Sequence, residues 1–218
     1  MTPAPMVAVR GEVVREADPE LGSFTVTVSA RDKDRAATLT RVTGRHQAVR
    51  AVLDQYGDAI EHRETRGVNV YPETKRSGER VSAYAGSIST TVTMTDFALL
   101  GELMLRLADA DQTSVYGPRW SLRPTSPVHR DARRAAVAEA IGRAREYAEA
   151  LGAQVIRLVE LADVELSRGQ AEYARPMRMT LAGATRGAGE PQLNLDPQRQ
   201  TITAQVEARF TISEPTAL

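Results

Sequence analysis

The stretch Gln200–Ile212, QTITAQVEARFTI, puts Ile202, Ala204, Val206, Ala208, Phe210 and Ile212 at every second position, with polar residues between most of them. A period of two marks a strand with one buried and one solvated face. Working outward, the same period returns near the N-terminus. Val7, Val9 and Val13 alternate, and after the turn-like Asp18-Pro19-Glu20-Leu21-Gly22 come Phe24, Val26, Val28 and Ala30, spaced by Thr25, Thr27 and Ser29. These two runs read as strands joined in a hairpin. Ile60–Tyr71 and the Ser/Thr-rich run ending at Thr95, separated by the turn chemistry of Pro72–Glu79, read as a second hairpin. In it Tyr84, Ile88, Thr90, Val92 and Met94 share one parity, with Gly86 as the expected bulge.

Between the strands the period changes to three and four. Leu39, Val42, His46, Val49, Leu53 and Tyr56 define one face of a helix that starts after Asp34 and stops at Gly57. Asp96 is placed to cap a short core helix over Phe97–Leu107, whose wide apolar arc implies deep burial. Val115–Arg123 reads as a strand, and Ser126-Pro127 as an N-cap followed by proline at the first helical position. The long helix that follows carries Val137, Ile141, Ala144, Ala148 and Leu151 as its stripe and ends at Gly152. Val155–Leu166 reads as a further strand. Residues 167–199, rich in Gly, Ala, Pro and Arg and without periodicity, read as a long loop. Strands outnumber helices and there is no regular βαβ alternation, so the fold class expected is α+β, with antiparallel sheets of hairpins covered by helices.

Composition narrows the function classes. With 218 residues, 42% of them apolar and 26% charged, the chain can bury a core of one or two tightly joined units. The 28 basic and 28 acidic side chains cancel, which leaves no overall electrostatic footprint for nucleic acid. Cysteine is absent, so disulfides, thiolate nucleophiles and Cys-ligated metals are excluded. Met1–Val9 has neither a basic nor a long apolar segment of a signal peptide, and no run reaches the ~18 apolar residues of a membrane-spanning helix. On that basis a cytoplasmic location is expected.

The order of elements, together with several local stretches, resembles the SIMPL-domain (DUF541) family, which includes bacterial 26 kDa periplasmic antigens. Ala36–Leu53 is similar to that family's first helix, and Val68-Asn69-Val70-Tyr71-Pro72 to its strand ending in a proline turn. Ala83-Tyr84-Ala85 is similar to its glycine-tyrosine strand, with Ala83 standing where glycine is common. Ala135–Gly152 is similar to its alanine-rich helix and Gln200–Ile212 to its terminal strand. The resemblance runs from Val7 to Ile212 and implies one SIMPL-like domain over residues 7–213, between an N-terminal tail (1–6) and a C-terminal tail (214–218). It also implies a ring-like or channel-like oligomer in some relatives, links to the envelope and stress tolerance, and kinase signalling for the mammalian namesake. It brings no catalytic residues.

No catalytic, cofactor-binding or metal residues are assigned. His46, His62 and His129 lack the close spacing of a ligand pair. Gly86-Ser87-Ile88 lacks the second glycine and the strand-to-helix turn of a nucleophile elbow. Glu61, Glu64 and Glu73 with Arg63 and Arg66 read as neighbouring opposite charges on a solvated strand. Gly183, Gly187 and Gly189 have no lysine-containing phosphate loop beside them. The expected contact element is the long loop, with Arg168, Tyr173, Arg175, Arg178 and Arg186 available to a partner. The expectation is a non-enzymatic assembly or binding scaffold that self-associates, has room for a protein partner and binds no nucleic acid. A small-molecule-binding protein or enzyme with a pocket between sheet and helices, and a signalling adaptor, are the alternatives.

Overall fold

A computed structural model describes residues 4–74, 80–163 and 195–217. In chain order the described elements are β1 (Met6–Ala17), β2 (Leu21–Asp32), α1 (Arg35–Asp54), one 3-10 turn (Gly57–Ala59), β3 (Ile60–Thr74), β4 (Val81–Met94), α2 (Phe97–Ala108), β5 (Thr113–Ser121), α3 (Pro127–Ala150), β6 (Val155–Asp163) and β7 (Gln200–Ile212). The strands form two antiparallel sheets, ordered β1-β7-β6 and β3-β4-β2-β5, so the class is α+β. The chain divides into two compact units. One holds the residues through Ala17, those from Pro124 and those from Gln200, and the other holds Asp18–Arg123 with the stretch ending at Arg199.

In the first unit β7 is the middle strand, and its alternation is satisfied by burying one face under α3. Ala204, Val206, Ala208 and Phe210 meet Ala132, Ala136, Ala140 and Ala144, with Val9 of β1 beside them. Spaced by four, these alanines line one side of the helix, and Ala148 continues the line. A Cβ placed on Gly11 of β1 would lie 2.0 Å from the Ala136 carbonyl oxygen and 2.8 Å from Ala140 Cβ. The helix therefore touches the strand backbone to backbone. The expected stripe is corrected accordingly: Val137 and Ile141 flank the buried line, because only methyl groups fit where the approach is closest.

The ends of α3 follow local chemistry. Ser126 Oγ accepts from the Val128 N–H at 3.4 Å and Pro127 occupies the first turn. At the other end Gly152 takes φ +64°; its N–H donates to Glu149 O at 2.9 Å and the Ala153 N–H to Ala148 O at 2.8 Å, a Schellman motif. The segment read as a C-terminal tail is tied down, since the Thr216 and Ala217 amides both donate to Leu151 O at 3.1 Å.

In the second unit β2 lies between β4 and β5, and Phe24, Val26 and Val28 pack with Val92, Met94, Val42, Leu53, Leu100, Leu103 and Leu107. Asp96 caps α2 by accepting from the Ala98 and Leu99 amides, both at 3.0 Å. Asp34 caps α1 by accepting from the Ala37 N–H at 2.7 Å. That helix is held by polar contacts as well as apolar ones: Thr38 Oγ1 donates to Asp34 O and Tyr84 O, and Arg45 donates to Ser29 O at 2.7 Å.

Three expectations change. β1 and β2 form no hairpin, because β2 is paired on both sides by β4 and β5 while β1 runs along β7. Asp18-Pro19-Glu20 therefore links two sheets. Gly86 is not a bulge: its pairings to Ala30 and Val70 are continuous, and its missing side chain makes room for Thr38 Cγ2, which would lie 3.1 Å from a Cβ. The register shifts of this pairing fall instead at Glu61 and Arg66 of β3, paired on one side only among the described residues, and at Ser82 of β4. Finally, β5 stops at Ser121, short of the expected Arg123. Of the long segment, residues 167–194 lie outside the described residues, while Leu195 packs against the second unit's core and Arg199 pairs with Asp18 at 3.1 Å.

Gly11→Ala is expected to cost about 1–3 kcal/mol or more in urea-denaturation stability, because the helix must move to admit one methyl. Gly44→Ala, at a mid-helix position with nothing within 4 Å, is expected to gain about 0.5–1 kcal/mol instead.

Candidate functional site

The titratable groups singled out in the sequence take up structural partnerships. His46 turns toward β4, where its Nε2 lies 3.1 Å from Thr90 Oγ1, and Thr90 is buried. Burial, and then the Arg50 charge, push the imidazole below its ordinary pKa, so the neutral ring is favoured. On β3, Arg66 donates to Glu64 Oε1 at 2.9 Å, and His62 Nε2 stands 3.7 Å from Glu64 Oε2. The Arg66 hydrogen bond, with the Arg66 charge and His62 adding to it, holds the Glu64 carboxyl below the usual carboxylate range, which suits an ion pair rather than a general acid. Glu61 forms a two-point ion pair with Arg123, and Glu73 accepts from Arg31 at 2.7 Å. Among the described residues no group of His, Asp or Glu is arranged to hold a metal. Arg168, Tyr173, Arg175, Arg178 and Arg186, like Gly183, Gly187 and Gly189, lie outside the described residues.

What the strand pairing does bring together are two open sheet faces and one edge. In the second unit, Ser23, Thr25, Thr27 and Ser29 of β2 stand opposite Thr93, Thr91, Ser89 and Ser87 of β4, four successive hydroxyl pairs. Thr25 and Thr91 are hydrogen-bonded at 3.1 Å, Thr27 and Ser89 at 2.8 Å. The outer strands add Tyr116, across from Thr25, and Asn69, across from Ser87. Tyr71 lies two residues further along β3 on the same face. Sequence alternation alone marked these hydroxyls as the solvated half of each strand; their arrangement as an array required the β2–β4 register.

In the first unit a hollow of about 460 Å³ is lined in part by Ala8, Arg10, Glu160, Ala162, Glu207 and Arg209. Its charges are matched in pairs, Arg10 with Glu207 at 3.0 Å and Arg209 with Glu160 at 3.1 Å. The two edges of this sheet differ. On β1, the Glu12 N–H is taken by Glu139 of α3 at 3.1 Å. β6 pairs only with β7 among the described strands, and it exposes Ile156 (67%), Leu158 (48%), Val159 (47%) and Leu161 (47%). No helix of the described residues is long and apolar enough to cross a membrane.

A family model described as SIMPL, protein of unknown function (DUF541), matches residues 7–210. The chain is 30% identical to a 26 kDa periplasmic immunogenic protein of Brucella melitensis, over 95% of this chain and 81% of that protein. It is 29% identical to the protein of the same name from Brucella abortus strain S19, with the same coverage.

His46 generates a pH prediction. Its folded pKa lies below the unfolded value near 6.5, so the unfolded chain binds more protons in that window. The contribution is complete above pH 6.5 and is lost as pH falls below it toward the folded pKa. Urea midpoints measured from neutral to mildly acidic pH should therefore fall less steeply for His46→Gln than for the parent.

Proposed function

This chain belongs to the SIMPL family, a family of unknown function, and from that premise we propose that it is a non-enzymatic assembly scaffold of the cell envelope that self-associates through the β6 edge. The observation that carries this reading is the row of exposed apolar side chains on an edge strand, a feature that soluble monomers ordinarily blunt with charge or cover. Register shifts around Ile156 and Val159 interrupt the β6 ladder, so a second copy packs on the apolar side chains more readily than it extends the sheet strand by strand. An envelope setting draws on the periplasmic naming of both Brucella proteins, in preference to the cytoplasm expected from Met1–Val9. The long segment carrying Arg168, Tyr173, Arg175, Arg178 and Arg186 follows β6 directly in sequence and is a second candidate for the same contact.

Native mass by size-exclusion chromatography with light scattering, at several concentrations, tests the proposal. The expected result is a multiple of 23.7 kDa that holds on dilution, with Val159→Lys/Leu161→Lys lowering the mass while circular dichroism stays unchanged. A parent protein that is monomeric throughout refutes self-association. If deleting residues 169–191 lowers the mass and the β6 variant does not, the contact belongs to the long segment.

A further inference from the structure

We propose that the open face of the β3-β4-β2-β5 sheet is a binding surface for a neutral, linear oligosaccharide. This goes beyond the assembly reading and is independent of β6. The centre of the face carries hydroxyls and no charge, in a chain that is 26% charged. Charge complementarity therefore points to an uncharged partner: nucleic acid and anionic lipid surfaces need basic clusters, whereas the charges that the outer strands add are few, Glu64 across from Thr91 paired with Arg66, Arg31 paired with Glu73, and Arg119 across from Ser23 lying against the Tyr116 ring. A dry protein–protein contact is disfavoured as well, because hydroxyls buried without new partners lose their hydration.

Two observations indicate that the face is equipped for a polyhydroxylated ligand. The first is unspent hydrogen-bonding capacity. Ser87 and Thr93 have no side-chain partner among the described residues, nor do the Asn69 amide and the Tyr71 and Tyr116 hydroxyls, while the bonded Thr25–Thr91 pair retains acceptor capacity. The second is the pair of aromatics on the outer strands, Tyr116 at 68% exposure and Tyr71 at 54%. Arg119 lies 5.4 Å over the Tyr116 ring. Rings exposed to this degree beside two central strands of Ser and Thr offer apolar surface to the C–H side of a sugar, while the hydroxyl rows, spaced by the sheet at about 4.8 Å across strands, meet its edge.

The experiment titrates ¹⁵N-labelled protein with the hexamers of N-acetylglucosamine and of β-linked glucose, using heparin as the anionic comparison. The expected result is saturable amide shifts at Thr25, Ser87, Thr91 and Tyr116 with a neutral hexamer, unaltered by added salt. Tyr116→Ala should weaken binding about tenfold. Thr25→Val/Thr91→Val, which keeps the β-branched shape, should weaken it too without lowering the melting temperature of the unliganded protein by more than a few degrees. The proposal is overturned by the absence of saturable shifts with both hexamers, by shifts confined to other surfaces, or by binding to heparin alone that fades with salt.

Discussion

Helix α3 can lie on its sheet only because Gly11 has no side chain and the helix offers methyl groups in return. The approach at Ala136 and Ala140 is closer than any strand residue with a Cβ would allow. Much else in the first unit follows from that closeness. β7 can bury Ala204, Val206 and Ala208 under so thin a layer, and Glu139 reaches the Glu12 amide on the β1 edge. The chain's first and last strands, paired from Met6↔Thr211 to Ala17↔Gln200, share the one helix that covers them. The Schellman end at Gly152 and the C-terminal residues bonded to Leu151 finish the same helix.

The second unit meets the same requirement, a helix layer on an antiparallel sheet, with large side chains. Leu100, Leu103 and Leu107 of α2 fill the space over Phe24 and Met94, so packing volume rather than close backbone approach sets the spacing. α1 buries only Thr38, Val42, Val49 and Leu53, and its polar contacts to Tyr84 O, Thr90 and Ser29 O complete its attachment. His46 belongs to that attachment, which is why its neutral form is favoured.

With one face of each sheet assigned to helices, the chemistry left for partners lies on the opposite faces and at the edges. The first sheet displays matched charges and an apolar edge; the second displays hydroxyl rows on its two central strands with exposed tyrosines on the outer ones. These surfaces differ in what they attract: the edge suits another protein surface, and the hydroxyl array a hydrated, uncharged ligand.

By itself the sequence determined the α+β class, the helices after Asp34, Asp96 and Ser126, the strand at Gln200–Ile212 and the family. These rest on local signals, namely caps, the periods of 2 and 3.6, and turn residues, that need no distant partner to be read. Tertiary structure decided what pairs with what. That Val9 faces Ala208 across almost the whole chain, that β1 and β2 part into different sheets, and that Gly86 admits Thr38 instead of bending its strand all depend on contacts distant in sequence. The hydroxyl array is of the same kind: Thr25 and Thr91 are each ordinary strand residues, and only the β2–β4 register, set by burying Phe24, Val26 and Val28 with Val92 and Ile88, turns their outward sides into one surface.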